Sequence, residues 1–139
     1  MSKFLSKRDQ RRTGPREAVL LADFRYSSDI ANTVITVPAD FVYDGASVPR
    51  AAWNIVRPFG RTLRASVIHD WLYHTRGRWD PAMFAVLGTD TGEEARLLAD
   101  DIFREAMKVD RVPPWGVTWF QREGSYRAVR TFGREAWET

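Results

Sequence analysis

Ala65-Ser-Val-Ile-His-Asp-Trp-Leu-Tyr-His74 is the stretch on which the fold turns. With the preceding residues from Arg61 it predicts a helix, because Leu63, Val67, Trp71 and His74 recur at three- and four-residue spacing. Ala65, Ile68 and Leu72 widen the apolar stripe until it nearly encircles the helix, and a helix apolar all round has to be buried. The stretch also holds both histidines of the protein and an acid beside one of them. It is therefore expected to be at once the central core helix and the place where chemistry would sit.

Upstream of this helix the pattern favours strands. Ala18-Val-Leu-Leu-Ala-Asp-Phe-Arg-Tyr26 reads as one strand, the polar cluster Ser27-Ser-Asp29 with Asn32 as a turn, and Thr33-Val-Ile-Thr-Val37 as the antiparallel return. Pro38 ends that strand because it has no N–H to donate. Phe41-Val-Tyr43 restarts an extended segment that delivers Asp44-Gly-Ala-Ser-Val-Pro-Arg50. A short helix over residues 51–56, stopped by Pro58 and Gly60, precedes the central one.

Downstream the chain stays helical. Thr75-Arg-Gly-Arg-Trp-Asp-Pro81 is turn-like and residues 83–87 are a short apolar run. Thr91-Gly-Glu-Glu then opens a helix with acids in its first turn, where they suit the helix dipole. Its apolar stripe is Leu98, Ile102, Ala106 and Val109, flanked by Ala95, Ala99, Phe103 and Met107, and Pro113-Pro114 ends it. Residues 115–137 read as an aromatic-rich closing helix, with breaks at Gly124 and Gly133. The expected class is α+β: a small N-terminal antiparallel sheet packed on a C-terminal helical bundle.

The 139 residues suit a single domain, taken as 17–139, preceded by a basic arm over 1–16. That arm carries six basic residues against the lone acid Asp9, so the net charge of +3 resides there and the body is mildly acidic. A solvated terminus or a contact with an acidic partner would each explain it. The absence of cysteine removes disulfides, thiolate nucleophiles and zinc–thiolate clusters, and fits a reducing cytosol. No run of about 18 apolar residues and no signal-peptide core is visible, so a soluble, unprocessed protein without a transmembrane segment is expected.

The chemistry-bearing residues divide between two faces of the central helix. His69 and Asp70 are adjacent, hence about 100° apart, whereas His69 shares a face with Tyr73 and Asp70 shares another with His74. On the first face His69 is the candidate general base, with Asp100 on the following helix as the carboxylate that orients it. On the second face Asp70 and His74, completed by Asp44, are candidate ligands of a divalent metal. Asp101 is better suited to a solvated face than Asp100. Arg50 could clamp a carboxylate or phosphate, and Ser47 is a candidate substrate contact better explained as a helix cap than as a nucleophile, since it lacks the Gly-x-Ser-x-Gly elbow.

Phe41-Val-Tyr-Asp-Gly-Ala-Ser-Val-Pro-Arg50, His69-Asp-Trp-Leu-Tyr73 and Ala99-Asp-Asp-Ile-Phe-Arg-Glu-Ala-Met107 together resemble the domain of unknown function 1353 family, over roughly residues 17–114. That resemblance implies a phage or prophage origin, hence the host cytoplasm or the virion, and brings no activity with it. Residues 65–73 and 99–107 are also similar in layout to the His-Asp helix and partner helix of secreted phospholipase A2. That likeness implies His69 as the group that activates water, Asp70 as a calcium ligand and Asp100 as the residue orienting His69. The disulfides and the glycine-rich calcium loop of those enzymes have no counterpart here, where only Asp44-Gly45 stands in the loop's place.

Two functions follow as expectations. One is a small hydrolase with His69 as general base and a divalent metal. The other is a non-catalytic virion or assembly protein, in which a His-Asp-Tyr cluster locks the core while the basic arm and the aromatic C-terminal helix bind other phage proteins. Specific nucleic-acid binding is not expected, since only the arm would support it.

Overall fold

The computed structural model describes residues 2–6, 8, 10–14, 17–43, 63–75, 93–109 and 119–132. Six short strands come first: β1 (Lys3–Phe4), β2 (Gln10–Gly14), β3 (Glu17–Leu20), β4 (Phe24–Ser28), β5 (Thr33–Val37) and β6 (Val42–Tyr43). Among the described residues three helices follow: α1 (Leu63–Thr75), α2 (Glu93–Val109) and α3 (Trp119–Phe132). The architecture is α+β, with antiparallel strands in the N-terminal part and helices after them. Among the described residues no helix is long and apolar enough to cross a membrane.

Instead of one sheet there are two, ordered β1-β4-β5 and β2-β3-β6. The segment expected as a single strand over 18–26 is broken at Leu21-Ala-Asp23, all three exposed, so its halves pair in different sheets. Asp23 holds the break together, because its carboxylate accepts the Ala39 N–H at 2.8 Å. Beyond Pro38 the chain crosses from β5 to β6 through Asp40, whose φ of 71° is in the left-handed region and whose N–H reaches the Leu20 carbonyl at 2.8 Å. Asn32, at φ 54°, turns the β4–β5 hairpin as expected of a residue that tolerates this conformation. The residues read as a basic arm supply β1 and β2, which pair with β4 and β3.

The inward side chains of the strands alternate with exposed ones, as period-2 patterning requires: Ala18, Leu20, Phe24, Tyr26, Ile35 and Val37 are buried. They join one core with Ile68 and Leu72 of α1, Ile102, Phe103, Ala106 and Met107 of α2, and Val129 of α3. Residues 65–70 of α1 are all buried, which is the all-round burial the sequence demanded. Helix α3 runs through Gly124 without the expected break, while Gly133 lies outside the described residues. The expected short helix over 51–56, the turn-like segment 76–81 and the apolar run 83–87 are outside them too.

Glu105 fastens α2 to the β4–β5 hairpin. Its Oε1 accepts the Tyr26 hydroxyl at 2.8 Å and the Ser28 hydroxyl at 2.7 Å, and its Oε2 accepts the Ile30 N–H at 2.9 Å. Burial, reinforced by the Glu105 carboxylate, raises the Tyr26 phenol, so it stays a donor. Replacing Glu105 with alanine takes the acceptor from two buried hydroxyls, those of Tyr26 and Ser28, and is expected to destabilise the protein by about 2 kcal/mol. Urea unfolding would check this, and a loss below about 0.5 kcal/mol, ordinary for a surface change, would mean that the carboxylate contributes little to the docking.

A buried histidine–aspartate–tyrosine site

The site grows from two helices that pack side by side, α1 and α2. On α1 the four-residue spacing sets His69 and Tyr73 one above the other, with ring centroids 4.2 Å apart. On α2 Asp100 points from the apolar stripe into the same space, and Phe103 covers the imidazole at 4.6 Å. His69 Nε2 lies 2.8 Å from Asp100 Oδ1, and the Tyr73 hydroxyl donates to the same oxygen at 2.7 Å. His69 and Asp100 are each 0% exposed.

An ionised carboxylate only accepts hydrogen bonds, so with Asp100 in that form His69 Nε2 is the donor in this contact. Burial first, then the neighbouring Asp100, push the Tyr73 phenol upward, which keeps it a hydrogen-bond donor. Two arginines approach the other carboxylate oxygen. Arg96 Nη1 donates to Asp100 Oδ2 at 3.4 Å, and Arg130 Nε of α3 comes within 3.5 Å of it. The buried negative charge is therefore met by cations, without which its desolvation would be costly.

Asp101 diverges from its neighbour as expected. Half exposed, it accepts the Tyr126 hydroxyl at 2.9 Å and Arg130 Nη2 at 2.8 Å. Tyr126 is gripped between Arg104 and Arg130, whose guanidinium carbons lie 4.7 and 4.9 Å from its ring centre. Tyr126, Ala128 and Val129 of the aromatic helix thus pack on the body of the protein, and Arg127 is exposed.

The second face of α1 is arranged differently. Asp70 is 8% exposed and His74 is exposed, its ring 5.6 Å from that of Phe41 and 6.0 Å from that of Trp71. Tyr43 of β6 is pushed up to about 12, chiefly by burial; Arg8 works against the shift and Asp70 adds to it. Tyr43 also donates its hydroxyl to Gln10 of β2. Among the described residues no three His, Asp or Glu side chains converge as a metal ion would need. Asp44, the third expected ligand, lies outside the described residues, as do Ser47 and Arg50.

The sequence pattern of the family described as protein of unknown function (DUF1353) matches residues 18–129, which include both helices of this site. The chain belongs to that family. A relative of this DUF1353 chain, the uncharacterized protein y4jT of Sinorhizobium fredii, is 33% identical over 99 residues. The match takes in 70% of the present chain but only 23% of that relative, so the chain spans about a quarter of the longer protein. No solved structure matches the chain.

Arg96 and Arg130 are the members of this cluster that the sequence pattern alone does not single out. Arg96 was within reach, since it stands four residues before Asp100 on one helix, a spacing that brings opposite charges together. Arg130 carried no such signal, because its approach to Asp100 depends on how α3 crosses α2.

Proposed function

We propose that the protein is a small hydrolase in which His69 is the general base. The observation that carries this reading is the 2.8 Å contact between His69 Nε2 and Asp100 Oδ1, reinforced by Tyr73. Held at Nε2 by Asp100, the imidazole is the group of this cluster that would take the proton from an attacking water. The carboxylate then faces the imidazolium formed in that step and stabilises it, while Tyr73 and Arg96 keep Asp100 from turning away. Ester, amide or phosphoryl bonds are the targets within reach of such a base. The likeness of its motifs to those of phage and prophage proteins, in the host cytoplasm or the virion, favours envelope phospholipid or peptidoglycan as the substrate.

A divalent metal is a separate part of the proposal. Asp70 would hold it with Asp44 and His74, and the ion would polarise the oxygen of the bond under attack. The described residues alone do not complete such a donor set. Calorimetric titration with calcium or magnesium should show Asp70→Asn binding about tenfold more weakly than the parent, as loss of a direct ligand or its support does. Equal affinities, or no binding to the parent protein, would remove the metal from the scheme.

The complete burial of His69 and Asp100 favours a second reading, a non-catalytic phage virion or assembly component whose polar cluster locks three helices together. In that reading its partners would engage surfaces formed by β1 and β2 together with α3. The two readings separate in one experiment: release of fatty acid from phospholipid vesicles and of soluble fragments from peptidoglycan, by the parent and by His69→Asn. Cleavage lost in the variant supports the hydrolase. Cleavage of neither material by the parent, or cleavage retained in the variant, leaves the lock.

A further inference from the structure

The β1-β4-β5 sheet has a second face that the cluster on α1 and α2 does not use. Side chains alternate along a strand, and Phe4, Phe24, Tyr26, Ile35 and Val37 pack into or against the core. Lys3, Arg25, Val34 and Thr36 therefore point outward and are exposed, with Ser27 half-buried among them. Leu5 prolongs β1 on the same side, its N–H donating to the Arg25 carbonyl at 2.9 Å. The pairing fixes which of these are neighbours. Lys3 lies beside Ser27 and Ser27 beside Val34; in the next row Leu5 lies beside Arg25 and Arg25 beside Thr36. Each row thus carries one cation, one hydroxyl and one aliphatic side chain, with the rows about 7 Å apart and the strands about 5 Å apart.

Among the described residues no carboxylate shares this face. Asp23 and Asp29 stand beyond the two ends of β4 and accept backbone N–H groups, from Ala39 at 2.8 Å and from Ser2 at 3.0 Å. The face is therefore positive, and its partner has to be anionic. Cations alone would suit any polyanion, and the aliphatic side chains decide between them. Leu5 is 38% exposed and Val34 37%. Nucleic acid has no apolar layer to receive them, and the face has no aromatic ring on which a base would stack. A bilayer has acyl chains directly beneath its phosphates.

We infer that this face is a docking surface for an anionic phospholipid bilayer, with Lys3 and Arg25 on lipid phosphates and Leu5 and Val34 entering the acyl boundary. The choice of lipid rests on the hydrolase reading, in which envelope phospholipid is a substrate and the protein has to be held at the surface it acts on. Two cations give a reversible attachment that salt weakens.

Co-sedimentation with vesicles of ether-linked phospholipid tests the attachment apart from cleavage, since the chains of such lipids carry no ester to hydrolyse. At low salt the parent protein should bind vesicles rich in phosphatidylglycerol and leave pure phosphatidylcholine vesicles in suspension. Lys3→Gln or Arg25→Gln should weaken binding about fivefold and the pair about thirtyfold, the effect of withdrawing one or two charges from an anionic surface. Leu5→Ser with Val34→Thr should weaken it about threefold through lost apolar burial. Arg11→Gln with Arg127→Gln removes two exposed cations from other parts of the surface, and should change binding by less than about twofold. Circular dichroism establishes that each variant is folded, and if the double variant is not, the single ones decide. Failure of the parent to bind, equal binding to phosphatidylcholine, or an equal loss in the Arg11 and Arg127 pair overturns the inference. Tighter binding of a double-stranded DNA fragment through Lys3 and Arg25 would assign the face to nucleic acid and overturn it too. Attachment without cleavage of ester-linked vesicles upholds the face and removes only phospholipid hydrolysis, whereas cleavage by a protein that does not attach removes the face alone.

Discussion

Substituting His69 by asparagine is expected to lower the rate of hydrolysis about 10²- to 10⁴-fold, the usual contribution of a positioned general base. Asparagine keeps a polar amide in the pocket, although its nitrogen stands where Nδ1 was and falls short of the Nε2 that meets Asp100 Oδ1 at 2.8 Å. What it lacks is a nitrogen lone pair of the right basicity. The loss should therefore fall on kcat, with KM little changed, because the substituted group acts on the proton of the attacking water and not on bound substrate. Vesicle and peptidoglycan assays under saturating substrate would measure it. A decrease smaller than about threefold, against the 10²-fold lower bound for such a group, would mean that His69 does not take the proton.

Asp100→Ala is expected to have the largest effect on stability. The substitution removes the carboxylate that meets the Tyr73 hydroxyl, His69 Nε2 and Arg96 Nη1 in the interior. Arg96 keeps its carbonyl partners on α3 but loses the Asp100 carboxylate. Removing one partner from a buried ion pair destabilises by about 3–5 kcal/mol. For a chain of this size that is a fall in Tm on the order of 10–20 °C. A thermal melt lowered by less than about 3 °C, under 1 kcal/mol on the same scale, would show that the network is not what joins the three helices.

The contrast between Asp100 and Asp101 shows how far the sequence reaches into this site. One residue apart on α2, they differ by about 100° in direction, and the stripe of Ala99 and Phe103 already marks Asp100 as the inward one. The structure agrees: Asp100 is fully buried against His69, whereas the Asp101 side chain is 46% exposed. His69 with Tyr73 was legible for the same reason, since four-residue spacing on a helix is a contact rule. Strand assignment was weaker. Residues 18–26 have a continuous strand-favouring composition, and only the long-range bond from Ala39 to Asp23 and the pairing of β3 with β2 and β6 fix the break at Leu21.

What the sequence determined by itself is therefore what periodicity controls: an α+β chain, a central helix buried all round over residues 65–70, and a histidine and a tyrosine on one face of that helix with an aspartate on the inner face of the next. The tertiary structure alone decided the rest. It divided the strands between two sheets, drew residues 3–4 and 10–14 into them, and brought Arg96 and Arg130 to the far oxygen of Asp100. The reason is physical. Direction along a helix or strand repeats every few residues and is written locally, but the meeting of α3 with α2 depends on packing across the core, where a displacement of an ångström or two separates an ion pair from none.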